Sequence, residues 1–596
     1  MKAEAAAQPM PKALLWSALL LGLMFSLPLV QPRHTNPITS FYSEWLAMVL
    51  GAAALLPLLL RRYTAPLHVP VVAFAPLALS GVLIVHLLLV KSPYPQQPML
   101  AIVYLLWATA LVLLSAMLRR ELGFERIVAL LAAFTLAGGL LNALAGLLQH
   151  YEWRGPLEPV IATKLGYQVY GNLGQANHFS THITLALVSL GFLYGSGRAR
   201  LGWTIAGAAA LLFVLALSGS RSSWIYLLAI AALAALRYRS VRRAEARRAM
   251  VYAAALLPGL AVAHLVAELP WLAPPTLHTT VVDRVFSLAG TQSERLALWR
   301  VAWAMFLEHP LLGVGWGQFA WHNFMLTGKM DGMVLTGLYN HAHNLLLQLL
   351  AETGLIGGVI AAAAMVSWAR SAARTLAEAG GLWVWACAIV LGVHSMLEYP
   401  LWNAHFLGIA CVVLALGDTK TLALRQARLV RGGMVVFLVA AAWLSGLLLD
   451  GYYRLERVVH AQYAGANRAA LERAHREMMS VSAGFFLAPY VELAYARDLD
   501  LGDFFIRSKI DFTTRVMHFA PTGMVAYRHA ALDALAGNEE EAQHVLRQAV
   551  LAYPSLLESF TKEFSKVTGG DAAARERFVA ELRELARSRR RAQVTP

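Results

Sequence analysis

YNHAHNLLLQLLAETGLIGG, residues 339–358, sets His341, His343 and two asparagines at the mouth of a long apolar run that closes in glycines. The run is long enough to cross a bilayer core of roughly 30 Å. Outward from it in both directions the same kind of block recurs. Segments of roughly 18 to 22 residues with few or no charges suit a membrane span. About thirteen occur, near 12-30, 42-60, 69-90, 98-118, 127-148, 176-196, 201-218, 223-236, 250-268, 344-367, 381-400, 401-417 and 432-450. The eighth is short and the eleventh and twelfth nearly touch, which leaves a margin of one. With 58% hydrophobic and 14% charged residues in 596, the composition excludes an ordinary soluble enzyme. The expected fold class is an all-α polytopic membrane protein.

The net charge of +15 follows the same alternation. Basic clusters stand after every second span: Arg61/Arg62, Arg119/Arg120/Arg126, Arg198/Arg200, the run from Arg237 to Arg248, Arg370/Arg374, and Lys420 through Arg431. The positive-inside rule makes these loops cytoplasmic, Lys2 and Lys12 place the N-terminus with them, and thirteen spans leave the C-terminus outside. The basic excess reports topology, so no nucleic-acid partner is expected. Cys387 and Cys411 both fall inside spans and read as buried apolar residues, not as a disulfide framework. The first apolar stretch exceeds a signal-peptide core and lacks a small-residue cleavage site, so it reads as a retained helix.

The outward loops under this topology are 31–41, 91–97, 149–175, the turn at 218–222, the long segment 269–343, the turn at 398–403, and everything beyond 450. Residues 1–450 then form a transmembrane domain, to which the 269–343 loop belongs. That loop holds a helical stretch from about Ser293 to Glu308, expected on or partly in the outer face of the membrane. Residues 451–596 turn charged and amphipathic and read as a soluble helical domain. Within it Pro521 and Pro554 bracket a helix, a Gly-Asn turn and a second helix, a 33-residue spacing near the tetratricopeptide period. Such a hairpin suits holding a peptide segment, and an amphipathic cap with no partner is the plainer reading.

Nearly all unusual polar residues fall in the outward loops. His343 stands at the N-terminal end of the tenth span, where the helix's partial positive charge works against a second positive charge and attracts anions. A histidine there is suited to accepting a proton. Gly354 returns to nearly the same face three turns on, with Gly357 close to it, and small residues on that stripe let another helix pack beneath the histidine. A capping role for His343 and a metal site from His341 and His343 are the alternatives; no carboxylate or cysteine cluster accompanies the pair.

Arg221, in LSGSRSSW, breaks the positive-inside pattern, which calls for a compensating anion. It either grips a lipid phosphate in a bidentate fork or snorkels to ordinary headgroups. Arg295 and Arg300 lie five apart on the loop helix, with Trp299 sharing the Arg295 face at i+4; a second phosphate ligand and a surface ion pair with Glu294 are the two readings. Gln175, Asn177 and His178, in GNLGQANHFS, group amides at the outer edge of the sixth span, where they can orient a sugar or a peptide. In LEYPLWN, Tyr399 and Trp402 can stack on a sugar or serve as an interfacial belt. The first outer loop adds His34, Tyr42 and Glu44. GVGWGQF is glycine-rich but lacks the Lys-Ser/Thr of a phosphate loop, and no nucleophile elbow or Cys-His pairing is visible.

His343-Asn344, nine residues, Gly354, two residues, Gly357 resembles the signature of the O-antigen ligase superfamily, which includes bacterial O-oligosaccharyltransferases. RLALWRVAWAMFLEHPLLGVGWGQF looks like the segment that precedes that signature. GNLGQANH and LEYPLW resemble the subgroup that glycosylates pilins and other periplasmic proteins, the PglL type. The resemblance implies a GT-C-like helical glycosyltransferase of the bacterial inner membrane that needs no cofactor and no metal. It also implies an undecaprenyl-diphosphate-linked oligosaccharide as donor and a pilin or other periplasmic protein as acceptor. On this chain it makes His343 the base for the acceptor hydroxyl and makes Arg221, Arg295 and Arg300 the diphosphate ligands. Gln175, Asn177, Tyr399, Trp402, Asn344 and His341 then position substrates, His341 as support for its neighbour. An O-antigen ligase acting on lipid A-core, or a polymerase, is the alternative inside the family, and a lipid-glycan transporter the one outside it. Transporters place ionisable groups near the midplane of broken helices, whereas the polar cluster here sits at the rim.

Overall fold

Apolar runs that find no water to bond their backbone must bond it internally, and in this chain they do so as helices. The computed structural model describes residues 11–594 except 65, 91, 154, 165, 167, 273–288, 330–334, 464–467, 480–484, 503 and 568–571. Each of the thirteen apolar blocks lies largely in a helix. Among the described residues, ten helices are long and apolar enough to cross a membrane. Leu201–Leu217 and Ala404–Gly417 are apolar but shorter. Ala176–Gly195 has 20 residues but carries Asn177, His178, Ser180, Thr181, His182 and Thr184 in its first half. The eighth block, short by composition, extends through Arg237 as the helix Ser222–Val241, and the Arg237 guanidinium donates to Leu376 O at 2.9 Å.

The chain divides into two compact units, each assembled from three stretches of sequence. The first comprises Met1–Ser80, Val103–Ala289 and Val359–Gly446. One apolar core runs through it, from Leu14 to Met434. Small residues set its helix spacing: a Cβ on Gly139 of the helix Phe124–His150 would stand 2.3 Å from the Ala186 Cβ, so the two backbones lie close. At one end, strands Leu67–Pro70 and Thr421–Leu424 form an antiparallel ribbon, Leu67 opposite Leu424. Beside the ribbon Asp418 accepts from the Val72 N–H at 2.9 Å and the Ser371 hydroxyl at 2.6 Å.

The second unit comprises Gly81–Ile102, Gly290–Gly358 and Leu447–Pro596. Its larger core is built from amphipathic helices, among them Ile506–Phe519, Gly523–Leu535, Glu539–Ala552 and Leu557–Phe564, with Phe560 and Phe564 fully buried. Gly537, at φ 84°, reverses the chain between Gly523–Leu535 and Glu539–Ala552, and the Tyr553 hydroxyl bonds Pro521 O at 2.6 Å. Arg528, buried, ties this hairpin to the Arg497 and Leu499 carbonyls and to Glu563. A smaller core joins the helix Ala289–Glu308 to Ala342 and Ala351. That helix begins four residues before the expected Ser293, and its partner chain is the His343 segment.

Candidate active site

The helix Leu345–Ala372 starts immediately after His343 and Asn344. The Asn344 side chain accepts from the Leu346 and Leu347 N–H groups, both at 3.1 Å, so it caps the helix by satisfying two of its orphan donors. One turn on, buried Gln348 reaches back and accepts from the Ala342 N–H at 2.7 Å. Caught between these two ties, His343 adopts φ 52°, in the left-handed region that costs an L residue about 1–2 kcal/mol. Neighbours that over-determine such a conformation are found where a side chain has to be aimed. His343 itself is half-buried, while Ala342 beside it is fully buried. His341 Nδ1 stands 2.9 Å from Asn340 Oδ1.

Gly354 does not make room for a packing helix, as its spacing suggested. It breaks the helix, with φ 64° and ψ −162°. The chain that comes up to it is a loop: a Cβ at 354 would stand 2.3 Å from the Leu311 backbone. The break exposes backbone groups, and residues 310–315 satisfy them. Val314 N–H donates to Ala351 O at 2.9 Å, Gly315 N–H to Glu352 O at 3.2 Å, and Leu355 N–H to Pro310 O at 2.8 Å. The glycines of GVGWGQF now have a role, since Gly313, Gly315 and Gly317 all take positive φ. Their turn presents the Gly317 and Phe319 N–H groups to the buried Glu352 carboxylate, at 3.0 and 3.3 Å. The N–H groups that this turn presents are satisfied by a side chain of the same unit. A Cβ on Gly357 would meet Thr353 of its own helix, so that glycine also makes no place for a second helix.

On the helix Ala289–Glu308, Ala297, Leu298, Val301, Ala302 and Met305 face the small core that holds Ala342. A five-residue step turns a helix by about 140°, and this separates the two arginines. Arg295 is half-buried on the flank of the core face, with Trp299 about 40° away. Arg300 is exposed on the opposite face. Glu294, in the second turn, lies near Tyr339, whose phenol is pushed above its usual range first by burial and then by that carboxylate.

The remaining residues belong to the first unit. Gln175 is the N-cap of Ala176–Gly195, yet among the described residues its side chain makes no capping bond. Asn177, expected to meet substrate, has its amide engaged within the protein: Nδ2 donates to Glu398 Oε1 at 2.8 Å, and Oδ1 accepts from the Ser220 hydroxyl at 2.9 Å. Ser220 precedes Arg221, which is the half-buried N-cap of Ser222–Val241, and Glu398 precedes Tyr399. One amide therefore ties together the three segments that carry Gln175, Arg221 and Tyr399. Tyr399 and Trp402 flank the turn Pro400–Trp402, with the Tyr399 phenol pushed up by burial and then by Glu398. His178 turns inward, 5.4 Å from the His394 ring and 5.1 Å from Phe406.

Gln348, Glu352 and Ser220 were not singled out in the sequence. A lone carboxylate and a lone amide one turn apart in an otherwise apolar run are the signals for the first two. Among the described residues no group of three His, Cys, Asp or Glu side chains is placed to hold a metal ion.

This geometry has counterparts. Residues 206–362, from the helix before Arg221 to the glycines after His343, match the O-antigen ligase family profile. Residues 169–194, around Gln175 and Asn177, match the protein glycosylation ligase profile. Over these two stretches the chain is similar to O-antigen ligases and to protein glycosylation ligases. Residues 382–565 match a third profile, the C-terminal part of a virulence factor membrane-bound polymerase. Two curated relatives are similar, both from Acinetobacter baylyi. A general O-oligosaccharyltransferase is 27% identical over 336 residues, 54% of this chain and 56% of its own. A ComP-specific O-oligosaccharyltransferase is 24% identical over 252 residues, 42% of this chain and 44% of its own. The chain thus spans about half the length of the curated relatives it matches.

Proposed function

We propose that this protein transfers a preassembled oligosaccharide from undecaprenyl diphosphate to Ser or Thr hydroxyls of periplasmic proteins such as pilins. The observation that carries the reading is His343, fixed in a left-handed conformation by Gln348 and Asn344 inside the segment shared with O-antigen ligases. In the proposed step the acceptor hydroxyl oxygen attacks the anomeric carbon of the glycan as its proton passes to His343. The bond from that carbon to the diphosphate oxygen breaks, and its electron pair leaves on the diphosphate. Arg295 and Arg221 are assigned to the charge that grows there. Gln175 and Tyr399 are assigned to the sugar or the acceptor.

The protein acceptor is supported by the protein glycosylation ligase match around Gln175 and by two relatives whose names specify O-oligosaccharyltransferases. In this reading the chain is an inner-membrane protein with its N-terminus in the cytoplasm. The site and the helical region after residue 450 are periplasmic, and the tetratricopeptide-like hairpin holds the acceptor. The polymerase profile over residues 382–565 favours a second reading, glycan transfer to another glycan or to lipid A-core.

The test combines purified protein in nanodiscs, a lipid-linked glycan and a pilin. The wild type should glycosylate the pilin, and His343→Ala should lose about 10²–10⁴ of the rate. Normal transfer by the alanine variant would sink the role of His343. Transfer to lipid A-core but never to protein would replace the leading reading with the second.

A further inference from the structure

The helix Ala289–Glu308 is apolar on two sides. One side, Leu298, Val301, Ala302 and Met305, is spent on the small core. On the other, Leu296 is 54% exposed, Trp303 46% and Leu307 61%, and these lie at helical spacing with exposed Arg300 among them. A helix apolar on both sides is unstable in water and asks for a second apolar surround.

Its place in the fold supplies one. Through the small core the helix packs against Ala342, Leu347 and Ala351, the entry and first turns of Leu345–Ala372. Gly354 breaks that helix, and the residues beyond the break, 355–372, are about 27 Å long and suffice for most of the roughly 30 Å of hydrocarbon, so residues 345–353 lie ahead of the span. Its first turns therefore stand at the level of lipid headgroups, and so does whatever packs on them. Aromatic residues and arginines are the side chains that suit this level, the ring half in hydrocarbon and the guanidinium on phosphate. Trp303 and Arg300 are one of each, one turn apart.

We propose that the Leu296, Arg300, Trp303 and Leu307 face of this helix lies in the headgroup layer of the bilayer, with Arg300 bonded to a phospholipid phosphate. The occupant is bulk phospholipid, argued from the arginine's charge, the apolar stripe and the packing on the end of a membrane helix. The assignment does not depend on the reaction proposed above. It gives Arg300 a lipid anchoring role, and it makes the core-facing side of the helix, with Arg295 on its flank, the side that the membrane surface holds in place.

The test uses the full chain in nanodiscs of phosphatidylethanolamine and phosphatidylglycerol. Leu307→Cys and, separately, Leu296→Cys carry an environment-sensitive fluorophore. Glu540→Cys, at an exposed site on Glu539–Ala552, serves as the aqueous reference. The unsubstituted chain, whose Cys387 and Cys411 are buried, is the labelling blank. A nitroxide on the phospholipid headgroup should quench the labels at 296 and 307 severalfold more than the one at 540, and aqueous iodide should do the reverse. Adding Arg300→Glu should lower the nitroxide quenching at 307; an unchanged value would overturn the arginine's part. Iodide quenching at 296 and 307 equal to that at 540 would overturn the whole assignment. So would shielding that appears only when a pilin or a lipid-linked glycan is added, since that would give the face to substrate. Loss of transfer activity with the quenching pattern intact would count against the reaction and leave the anchoring untouched.

Discussion

Two helix starts in this protein carry the same kinds of residue and use them differently. At Leu345 the asparagine is turned onto its own helix as a cap, and the histidine before it is held by its neighbours' backbone bonds. At Ala176 the cap position holds Gln175 with no capping bond among the described residues, and the asparagine is turned sideways to Ser220 and Glu398. The first start is organised within itself, around one histidine. The second is organised across segments, to keep three stretches of chain in register. Residue type alone does not separate these roles; the direction of the amide does.

That contrast can be broken most directly at the histidine. The His343→Ala loss set out above should come with an unchanged unfolding profile, because Gln348 and Asn344 hold the left-handed turn. A variant that lost both rate and stability would place His343 among the structural residues. Next in size is Asn177→Ala, which removes a bond to a buried carboxylate and one to Ser220. Leaving such groups unmatched costs about 1–3 kcal/mol. Thermal unfolding should fall accordingly, and turnover with it, because the Arg221 and Tyr399 segments lose their common tie. An effect on acceptor affinity alone would return Asn177 to substrate contact.

Gln348→Leu strands the buried Ala342 N–H and should slow transfer at unchanged acceptor KM, with Gln348→Glu recovering part of the rate by restoring the acceptor atom. Asn344→Ala should cost about 0.5–2 kcal/mol of stability, and Asn344→Ser should recover most of it, as expected of a cap. Failure of serine to rescue would mean that Asn344 does more than cap.

The smallest effect concerns acid. In the unit that holds His343, burial pushes the His322 imidazole down to about 4, with Glu308 opposing and His309 and His518 adding to the fall. The folded protein keeps this ring neutral where the unfolded chain would protonate it. Its contribution to stability is therefore full above the ordinary value of 6.5 and is lost as pH falls from there toward 4. Thermal unfolding followed across that window should show the decline, and His322→Phe should flatten it.

The apolar blocks were legible because a membrane span is a local property of some twenty residues, and the start of the His343 helix was legible because a cap and its helix adjoin in sequence. The break at Gly354 was not. Periodicity runs through it without interruption, and what stabilises it is the backbone of residues 310–315, about forty positions away. GVGWGQF misleads for a related reason: it does not fit a nucleotide-phosphate loop, and the group its N–H donors meet is the Glu352 side chain, 35 and 33 residues away. Arg300 was readable in principle, since a five-residue step already sets it about 140° from Arg295. The Asn177 bridge needed the fold, because Ser220 and Glu398 reach it from 43 and 221 residues away.

The ribbon between Leu67–Pro70 and Thr421–Leu424 has a consequence for biosynthesis. Its first strand emerges from the ribosome some 350 residues before its partner. At about 5–20 residues per second, that is a wait of roughly 20–70 s. Throughout that interval the edge of residues 67–70 is unpaired, and the helices on either side of it are already inserting. Completion of the ribbon, with Asp418 closing on Val72, can come only when the residues ahead of Ala427 have left the ribosome, so the early strand waits out that interval before residues 67–72 are fastened to residues 418–424.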